Sequence, residues 1–348
     1  MVHRPLRLRL DGDALVSNWR WLRERGGEAA CGAAVKADGY GLGAAEVVRR
    51  LAEAGCRDFF VATWAEAEPL MPWAAGLNLS VLHGVGANDL GAALSSPARP
   101  VLNSVEQVAR WRESGQGRPC DVMVDTGMNR LGLTAEEARS GVLGGLPVET
   151  LMSHLACADE PDHPMNQRQL VAFRSLSEAT AAQRYSLANS AGICLGRDYA
   201  FGLTRPGLAL YGGIPVAGDA EQESGLRAVA SIEAQVVQIR NVPAGSTVGY
   251  GATYQAATGI KAAVLNLGYA DGHLRQLAGS GHAMAGETVL PILGRISMDL
   301  IVVLAPDDGA VGEGDWLRMN FNLRSLAGEL SQYELLTTLG RRYERVWS

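Results

Sequence analysis

From about residue 5 to residue 220, short apolar runs alternate with longer stretches of helical spacing. This alternation is typical of βα units, and near-continuous apolar strands indicate a buried parallel sheet. Repetition on this scale favours a closed (β/α)8 barrel of the TIM type over an open sheet. The predicted strands lie at residues 7–11, 31–37, 58–63, 79–84, 99–103, 120–126, 149–155 and 184–190.

After about residue 224 the sequence changes to apolar runs separated by Gly, Pro and Asp turns. This spacing predicts a C-terminal, mostly antiparallel β domain. We therefore predict two domains, residues 1–223 and 224–348, with the N-terminal strand a candidate member of the second. A chain of 348 residues is long enough for both.

Composition narrows the class of protein. Hydrophobic residues make up 47% of the chain and charged residues 20%, as in a globular protein with a large core. A formal net charge of −6 argues against a nucleic-acid partner. We expect no membrane span, because no stretch reaches roughly 20 apolar residues. The first residues lack the apolar core of a secretion signal, so a cytoplasmic location is expected. The five cysteines are scattered and indicate reduced core residues, with neither disulfides nor a metal site.

Lys36 is the first candidate for chemistry. It ends the apolar run of AAVKADGYGLG and precedes a glycine-rich turn, and the chain has only one other lysine, Lys261. A lysine at the carboxyl end of a barrel strand lies where barrel enzymes place their active sites. Burial there lowers the pKa of the amine and makes it available for a Schiff base. The alternative is an ordinary lysine at a strand end.

Two further strand ends carry polar groups. DVMVDTGMNRLGL places Arg130 in a turn. Its guanidinium could bind an anionic oxygen there, and the alternative is that it pairs with Asp125. MSHLACADE places His154 at a strand end, either to orient a polar neighbour or as a core histidine.

The last part of the predicted barrel contains SLANSAGI and TRPGLALYGG. Phosphate sites of barrels are often built from the last two βα loops, a role that suits Ser190, Gly207 and the amide of Leu208. Arg205 would add a permanently charged donor. In the β domain, VGYGATY places Tyr250 between two glycines, a pattern equally compatible with a turn residue.

Taken in order, these segments closely resemble the alanine racemase family, from about residue 5 to Tyr333. The resemblance is carried by the lysine-to-tyrosine segment, DTGMNRLG, the SHLACADE strand end, ANSA, RPGLALYG, YGATY, GYADG and GRISMD. It implies a pyridoxal 5'-phosphate enzyme that interconverts L- and D-alanine, used for D-alanine biosynthesis as a peptidoglycan precursor. Lys36 would hold the cofactor and act as the base on one face of the substrate, and Tyr250 would serve the opposite face.

The resemblance also implies the remaining site residues. The cofactor-binding positions would be Lys36, Tyr40, His154, Asn189, Ser190, Arg205, Gly207, Leu208 and Tyr333. Arg205 would face the pyridine nitrogen, with His154 behind it. Arg130 and the backbone amide of Met298 would bind the substrate. In the family the β domain reaches the barrel of a second subunit, which implies a homodimer with shared active sites.

Four positions depart from the family pattern. Met123 stands where many relatives have a carbamate-modified lysine, so something else must hold Arg130. Leu42, Gly249 and Ser297 replace a common histidine, serine and cysteine. Three alternative functions remain: a serine or broad-specificity racemase, a pyridoxal-phosphate homeostasis protein, and a decarboxylase. A homeostasis protein would lack the β domain and Tyr250, and a decarboxylase would carry acidic and cysteine residues in that domain.

Overall fold

The computed structural model describes residues 3–323 and 330–348. The chain divides into two compact units, Asp13–Arg227 and a second unit that joins the segment ending at Gly12 to Ala228–Ser348. The first strand, β1 (Leu6–Leu10), belongs to the second unit. The barrel strands of the first unit are β2 (Ala30–Cys31), β3 (Ala33–Ala34), β4 (Asp58–Val61), β5 (Asn78–Val81), β6 (Arg99–Leu102), β7 (Cys120–Met123), β8 (Val148–Met152), β9 (Arg184–Ser186) and β10 (Leu203–Thr204).

Helices follow most of these strands. The α-helices are α1 (Gly12–Arg25), α2 (Lys36–Tyr40), α3 (Ala44–Glu53), α4 (Trp64–Ala67), α5 (Leu90–Ser95), α6 (Val105–Ser114), α7 (Ala135–Arg139), α8 (Pro164–Ala179), α9 (Ser190–Cys194), α10 (Ala220–Gly225) and, in the second unit, α11 (Gln332–Thr337). Their sequences explain their positions. Ser104 caps α6 by accepting from the amide of Gln107, and α8 begins with Pro164, whose missing N–H costs nothing there.

The parallel strands close into a barrel. Strands β3 to β9 pair in sequence order, and β10 pairs in parallel with β2. The ring is completed between β9 and β10, where Gly202 N donates to Tyr185 O and Arg205 N donates to Ala188 O. Counting β2 and β3 as one position, eight strands surround the core. The predicted (β/α)8 barrel is confirmed.

The strand predicted at 7–11 is β1, which pairs with the antiparallel sheet, as the domain prediction allowed for this N-terminal strand. The eighth barrel strand is instead β10, which was not predicted from the sequence. It has two residues and is followed by Arg205 and Pro206, so no apolar run marks it.

Charged residues fill the amino end of the barrel. Asp58, at the start of β4, accepts two hydrogen bonds from Arg184 at the start of β9, of 2.6 and 3.1 Å. Asn78 links Asp58 to Arg99, whose Nε lies 3.5 Å from the buried carboxylate of Asp121. Buried charges are tolerated when they are paired in this way. This end of the barrel is therefore structural, and the carboxyl end is left for chemistry.

The second unit is mostly antiparallel, as predicted. Its remaining strands are β11 (Ala230–Val242), β12 (Thr247–Val248), β13 (Tyr254–Gln255), β14 (Ile260–Leu265), β15 (His282–Ala285), β16 (Thr288–Pro291), β17 (Ile301–Ala305), β18 (Trp316–Met319) and β19 (Glu344–Trp347). The long strand β11 pairs antiparallel with β1, β18 and β14. A register shift between Val236 and Gln238 precedes most of its pairing with β14. Within the described residues, no helix is long and apolar enough to cross a membrane.

Candidate active site

Lys36 lies directly after β3, at the carboxyl end of the barrel. Its side chain is partly buried. Burial lowers the pKa of the amine, the positive charges of Arg130 and Arg205 lower it further, and the carboxylate of Glu66 opposes them. An amine with a lowered pKa carries more of its neutral, nucleophilic form at neutral pH. The ordinary strand-end alternative does not account for two arginines placed around this lysine.

The segment labelled α2 is not a regular right-handed helix, because the chain after Lys36 turns in the left-handed sense. Ala37, Asp38 and Tyr40 have φ values of 53°, 53° and 55°, and Gly39 between them has 64°. Left-handed backbone costs an L-residue roughly 1–2 kcal/mol, so a run of this kind must be held in place. Ala37 N donates to Glu66 Oε1 at 3.0 Å, and Ala44 N donates to Asp38 Oδ1 at 2.9 Å. The strain lies at the residues that follow the candidate nucleophile.

Glu66 was not predicted as a site residue. Its carboxylate accepts from the amides of Ala37, beside Lys36, and Ala62, at 3.0 and 2.7 Å. The sequence contains a signal for it, because Thr63 and Glu66 form the S/T-x-x-E pattern of a helix start. Thr63 does cap α4, but the Glu66 carboxylate bonds Ala62 and Ala37 instead of Thr63.

The loops after β9 and β10 form a cluster of polar groups. Ser190 Oγ accepts from Gly207 N at 2.9 Å and from Ala209 N at 3.2 Å, which leaves its own hydrogen to donate elsewhere. Leu208 begins a 3-10 helix that ends at Tyr211, and the first amides of a helix have no partner inside it. Asn189 caps α9 by accepting from Gly192 N. Free donors of this kind suit an anion such as a phosphate.

Tyr40 lies against this cluster. Its ring stacks on Tyr211 with the centroids 4.7 Å apart, and the Tyr211 hydroxyl donates to Ala34 O at 2.8 Å. A methyl group added at Gly207 would collide with the Tyr40 hydroxyl and lie 2.9 Å from its Cζ. Gly207 therefore provides the space in which the hydroxyl lies beside the backbone. The structure thus brings Tyr40, Ser190, Gly207 and Leu208 close together.

Arg205 is the most buried cation of the predicted site, with 6% of its surface exposed. Its Nη2 donates to Ser153 O at 2.5 Å, and its Nη1 donates to Ser186 Oγ. Burial lowers its pKa to about 10, so the guanidinium stays charged at neutral pH. Burial, followed by the charges of Arg205, Arg130 and Lys36, lowers the pKa of His154 to about 3, and the imidazole is neutral.

Arg130 follows a turn built by Asp125. Asp125 Oδ1 accepts from Gly127 N at 2.7 Å and Met128 N at 2.9 Å. No hydrogen bond or ion pair joins the Arg130 side chain to any of residues 3–323 or 330–348. The alternative in which Arg130 pairs with Asp125 is therefore not found. The exposed guanidinium remains available to an anion.

The remaining predicted residues lie in the second unit. Tyr250 is 69% exposed, between Gly249 and Gly251, which both have positive φ. Met298 is exposed, and its carbonyl accepts from Ala270 N at 3.0 Å. Tyr333, in α11, is also exposed. All three residues are therefore accessible on the second unit.

Comparison with known proteins identifies the family. Residues 10–215 match the alanine racemase N-terminal domain, and residues 229–347 match the alanine racemase C-terminal domain. The alanine racemase of Rhizobium meliloti (strain 1021) is 40% identical over 369 residues, covering 98% of this chain and 96% of that protein. The chain belongs to the alanine racemase family. The resemblance found in the motifs is confirmed.

Other alanine racemases match this chain in sequence and in structure. That of Cereibacter sphaeroides (strain ATCC 17025 / ATH 2.4.3) is 42% identical over 346 residues, covering 97% of both chains. The crystal structure of the Bartonella henselae alanine racemase, with covalently bound pyridoxal phosphate, matches with a TM-score of 0.89 and 34% identity. The match covers 99% of this chain and 100% of that one. Met123 packs in an apolar cluster with Phe60, Val101, Met152 and Leu203.

Proposed function

We propose that the chain is an alanine racemase that interconverts L- and D-alanine with pyridoxal 5'-phosphate. The observation that carries this proposal is the environment of Lys36. An amine with a lowered pKa lies at the carboxyl end of the barrel, with two arginines around it and a strained turn behind it. A carrier protein without enzymatic activity does not account for the second unit, which contains Tyr250.

The residues at the barrel mouth fit the cofactor. Its phosphate matches the Ser190 hydroxyl, the Leu208 amide and the Tyr40 hydroxyl, all close to Gly207, where any larger residue would fill the space. Its aldehyde matches the Lys36 amine. Arg205 would face the ring nitrogen with its charged guanidinium, and Asn189 caps the helix that begins at Ser190. When bound, the cofactor withdraws electrons and so stabilises negative charge at the substrate α-carbon.

Two residues move the substrate proton. Racemisation requires a proton to leave one face of the α-carbon and return on the other, so two groups are needed. In our proposal Lys36 Nζ serves one face, since its lowered pKa favours the neutral, proton-accepting amine. Tyr250 serves the other face through its hydroxyl. Arg130 and the amide of Met298 hold the substrate carboxylate and keep the α-carbon between the two groups.

Arg205 limits the chemistry to racemisation. A guanidinium with a pKa of about 10 keeps its proton at neutral pH, so it does not readily protonate the ring nitrogen. With the cofactor bound, Arg205 would thus leave the ring nitrogen unprotonated, which would disfavour side reactions such as transamination. His154, neutral because of burial and its cationic neighbours, packs near Arg205 without adding charge.

We further propose a homodimer in which Tyr250 and Met298 act on the partner's barrel. The exposed Tyr250, Tyr269, Met298, Leu300 and Tyr333 of the second unit support this arrangement. Mixing a Lys36→Ala chain with a Tyr250→Phe chain tests it. If the active sites are shared, the mixed dimer regains one complete site, and activity recovers to a fraction of the wild-type value.

The function is tested by measuring α-proton exchange and racemisation on a panel of L- and D-amino acids. We expect alanine to be the preferred substrate; faster turnover of serine would favour the broad-specificity alternative. Borohydride reduction followed by peptide mapping should place the cofactor on Lys36, and finding it on Lys261 would refute the assignment. A cytoplasmic location and a role in D-alanine supply for peptidoglycan stay predictions, tested by fractionation and by rescue of a bacterium that requires D-alanine.

A further inference from the structure

Gln169 is a fully buried amide in helix α8, where it continues the buried face formed by Asn166, Phe173 and Leu176. Burying an amide is costly unless hydrogen bonds replace those lost from water. Gln169 makes three such bonds. Its Nε2 donates to Thr126 Oγ1 at 3.1 Å and to His154 O at 2.9 Å, and its Oε1 accepts from Ala156 N at 2.8 Å.

These partners belong to two different loops of the candidate active site. Thr126 lies in the turn after β7 that leads to Arg130, and His154 and Ala156 lie in the loop after β8. A second bond joins the two loops directly, because Thr126 Oγ1 and Ser153 Oγ are 2.8 Å apart. The carbonyl of Ser153 is also the acceptor for Arg205 Nη2. Gln169 therefore ties the loop that leads to Arg130 to the loop whose Ser153 carbonyl accepts from Arg205.

This link matters because Arg130 has no partner of its own in the described chain. Met123, at the end of β7, packs in an apolar cluster and offers Arg130 no charged group. The position of Arg130 must then come from its backbone. That backbone is fixed by the Asp125 turn and, through Thr126, by Gln169.

We propose that Gln169 is a positioning residue that clamps the Thr126 and Ser153–Ala156 loops together and so sets the positions of Arg130 and Arg205. The effect on activity rests on the proposed function. The clamp itself does not, since it is a property of the unliganded protein. Without Gln169, Arg130 would still be present, but its guanidinium would sample more positions relative to the substrate carboxylate.

The test replaces Gln169 by methionine, which has similar length and no hydrogen-bonding amide. Asn166→Leu is the matched control. Asn166 lies one turn earlier on the same buried face of α8, and its amide donates to Glu160 O and Pro161 O. Both acceptors lie later in the loop after β8, beyond the clamped residues 153–156. Thr126→Val removes one clamp hydroxyl and keeps the shape of the side chain, whereas Thr126→Ser keeps the hydroxyl.

Hydrogen exchange of the unliganded protein gives the first readout. Gln169→Met should speed amide exchange at least tenfold in both residues 124–133 and 153–157, and Asn166→Leu should speed it only near residues 160–166. Thr126→Val should affect residues 124–133, and Thr126→Ser should not. Unchanged exchange in residues 124–133 of Gln169→Met would refute the clamp, whether or not the protein is a racemase.

Steady-state kinetics give the second readout. For Gln169→Met we expect a KM for L-alanine at least tenfold above wild type, with a smaller fall in kcat, because substrate binding depends on Arg130. Asn166→Leu should lower the melting temperature to a similar extent and leave both constants within twofold. If Gln169→Met and Asn166→Leu lose the same stability and keep the same KM, Gln169 is only structural. A wild-type protein that racemises no amino acid would refute the proposed function and leave the exchange result standing.

Discussion

Gly207→Ala should weaken pyridoxal phosphate binding through one steric contact. The new methyl group would overlap the Tyr40 hydroxyl and lie 2.9 Å from its Cζ. Tyr40 cannot easily withdraw, since it is 5% exposed and stacks on the fully buried Tyr211. Gly207 has a φ of −130°, outside the left-handed region, and we attribute the effect to overpacking against Tyr40.

Overpacking of a well-packed site typically costs about 1–3 kcal/mol. If Tyr40 relaxes only in the unliganded protein, this cost appears in cofactor affinity as a loss of roughly 5- to 150-fold. The assay is a titration of the cofactor-free protein followed by the absorbance of the bound cofactor. Gly202→Ala is the matched control, because its methyl group would come no closer than 3.7 Å to any neighbour. Equal affinity for wild type and Gly207→Ala, with equal melting temperatures, would show that Tyr40 does not pack as described.

Three further predictions concern other parts of the chain. Both ring nitrogens of buried His273 lack a hydrogen-bond partner among residues 3–323 and 330–348, and burial lowers its pKa from 6.5 to about 4. The unfolded chain therefore takes up a proton that the folded chain does not, so the stability associated with His273 is complete above pH 6.5 and falls as the pH drops toward 4. Between neutral pH and about pH 5, the unfolding free energy of His273→Leu should fall by about 2 kcal/mol less than that of wild type, measured by urea unfolding at both pH values. An equal fall in the two proteins would contradict this. Asp299 lies beside Met298, and Asp299→Ala removes the 2.7 Å hydrogen bond from Arg342 Nη1. This variant should raise the KM for alanine a few-fold at a stability cost of about 1 kcal/mol or less. Asp308→Ala is the exposed control, and equal KM values for Asp299→Ala and wild type would argue against a role of Asp299 in substrate binding. Met123 has no amine for carbon dioxide to modify, so the wild-type racemisation rate should not change when bicarbonate is removed. Met123→Lys should lower the unfolding free energy by about 2 kcal/mol or more in bicarbonate-free buffer, because it buries an amine in an apolar cluster. A bicarbonate-dependent wild-type rate would show that another residue is modified.

The fold could largely be predicted from the sequence, because the interior of a parallel barrel needs apolar runs at regular intervals. Strands such as β4 and β7 are buried on both faces, and each lies in a mostly apolar run of the sequence. β10 was missed for the opposite reason. It is two residues long, and its place in the barrel depends on pairing with β2, which is distant in the sequence.

The site was predicted in part. Lys36, Arg205 and Ser190 lie in motifs at strand ends, where local sequence and position coincide. Glu66 and Gln169 act through hydrogen bonds to other loops, and local patterns do not encode those partners. The sequence does contain a signal for Gln169. It is a polar residue at a helical position between apolar ones, and this pattern predicts a buried amide with fixed partners.

The left-handed turn after Lys36 also limits how this segment can vary. Ala37 and Asp38 are exposed, so packing alone would allow almost any side chain there. Their positive φ values instead exclude Val, Ile and Thr, whose branched Cβ is poorly tolerated in that conformation. A saturation-mutagenesis map should therefore show a short intolerant block on the surface of the protein, populated by Gly, Asn, Asp and Ala. The backbone conformation, and not contact with a ligand, would determine which residues are tolerated at these positions.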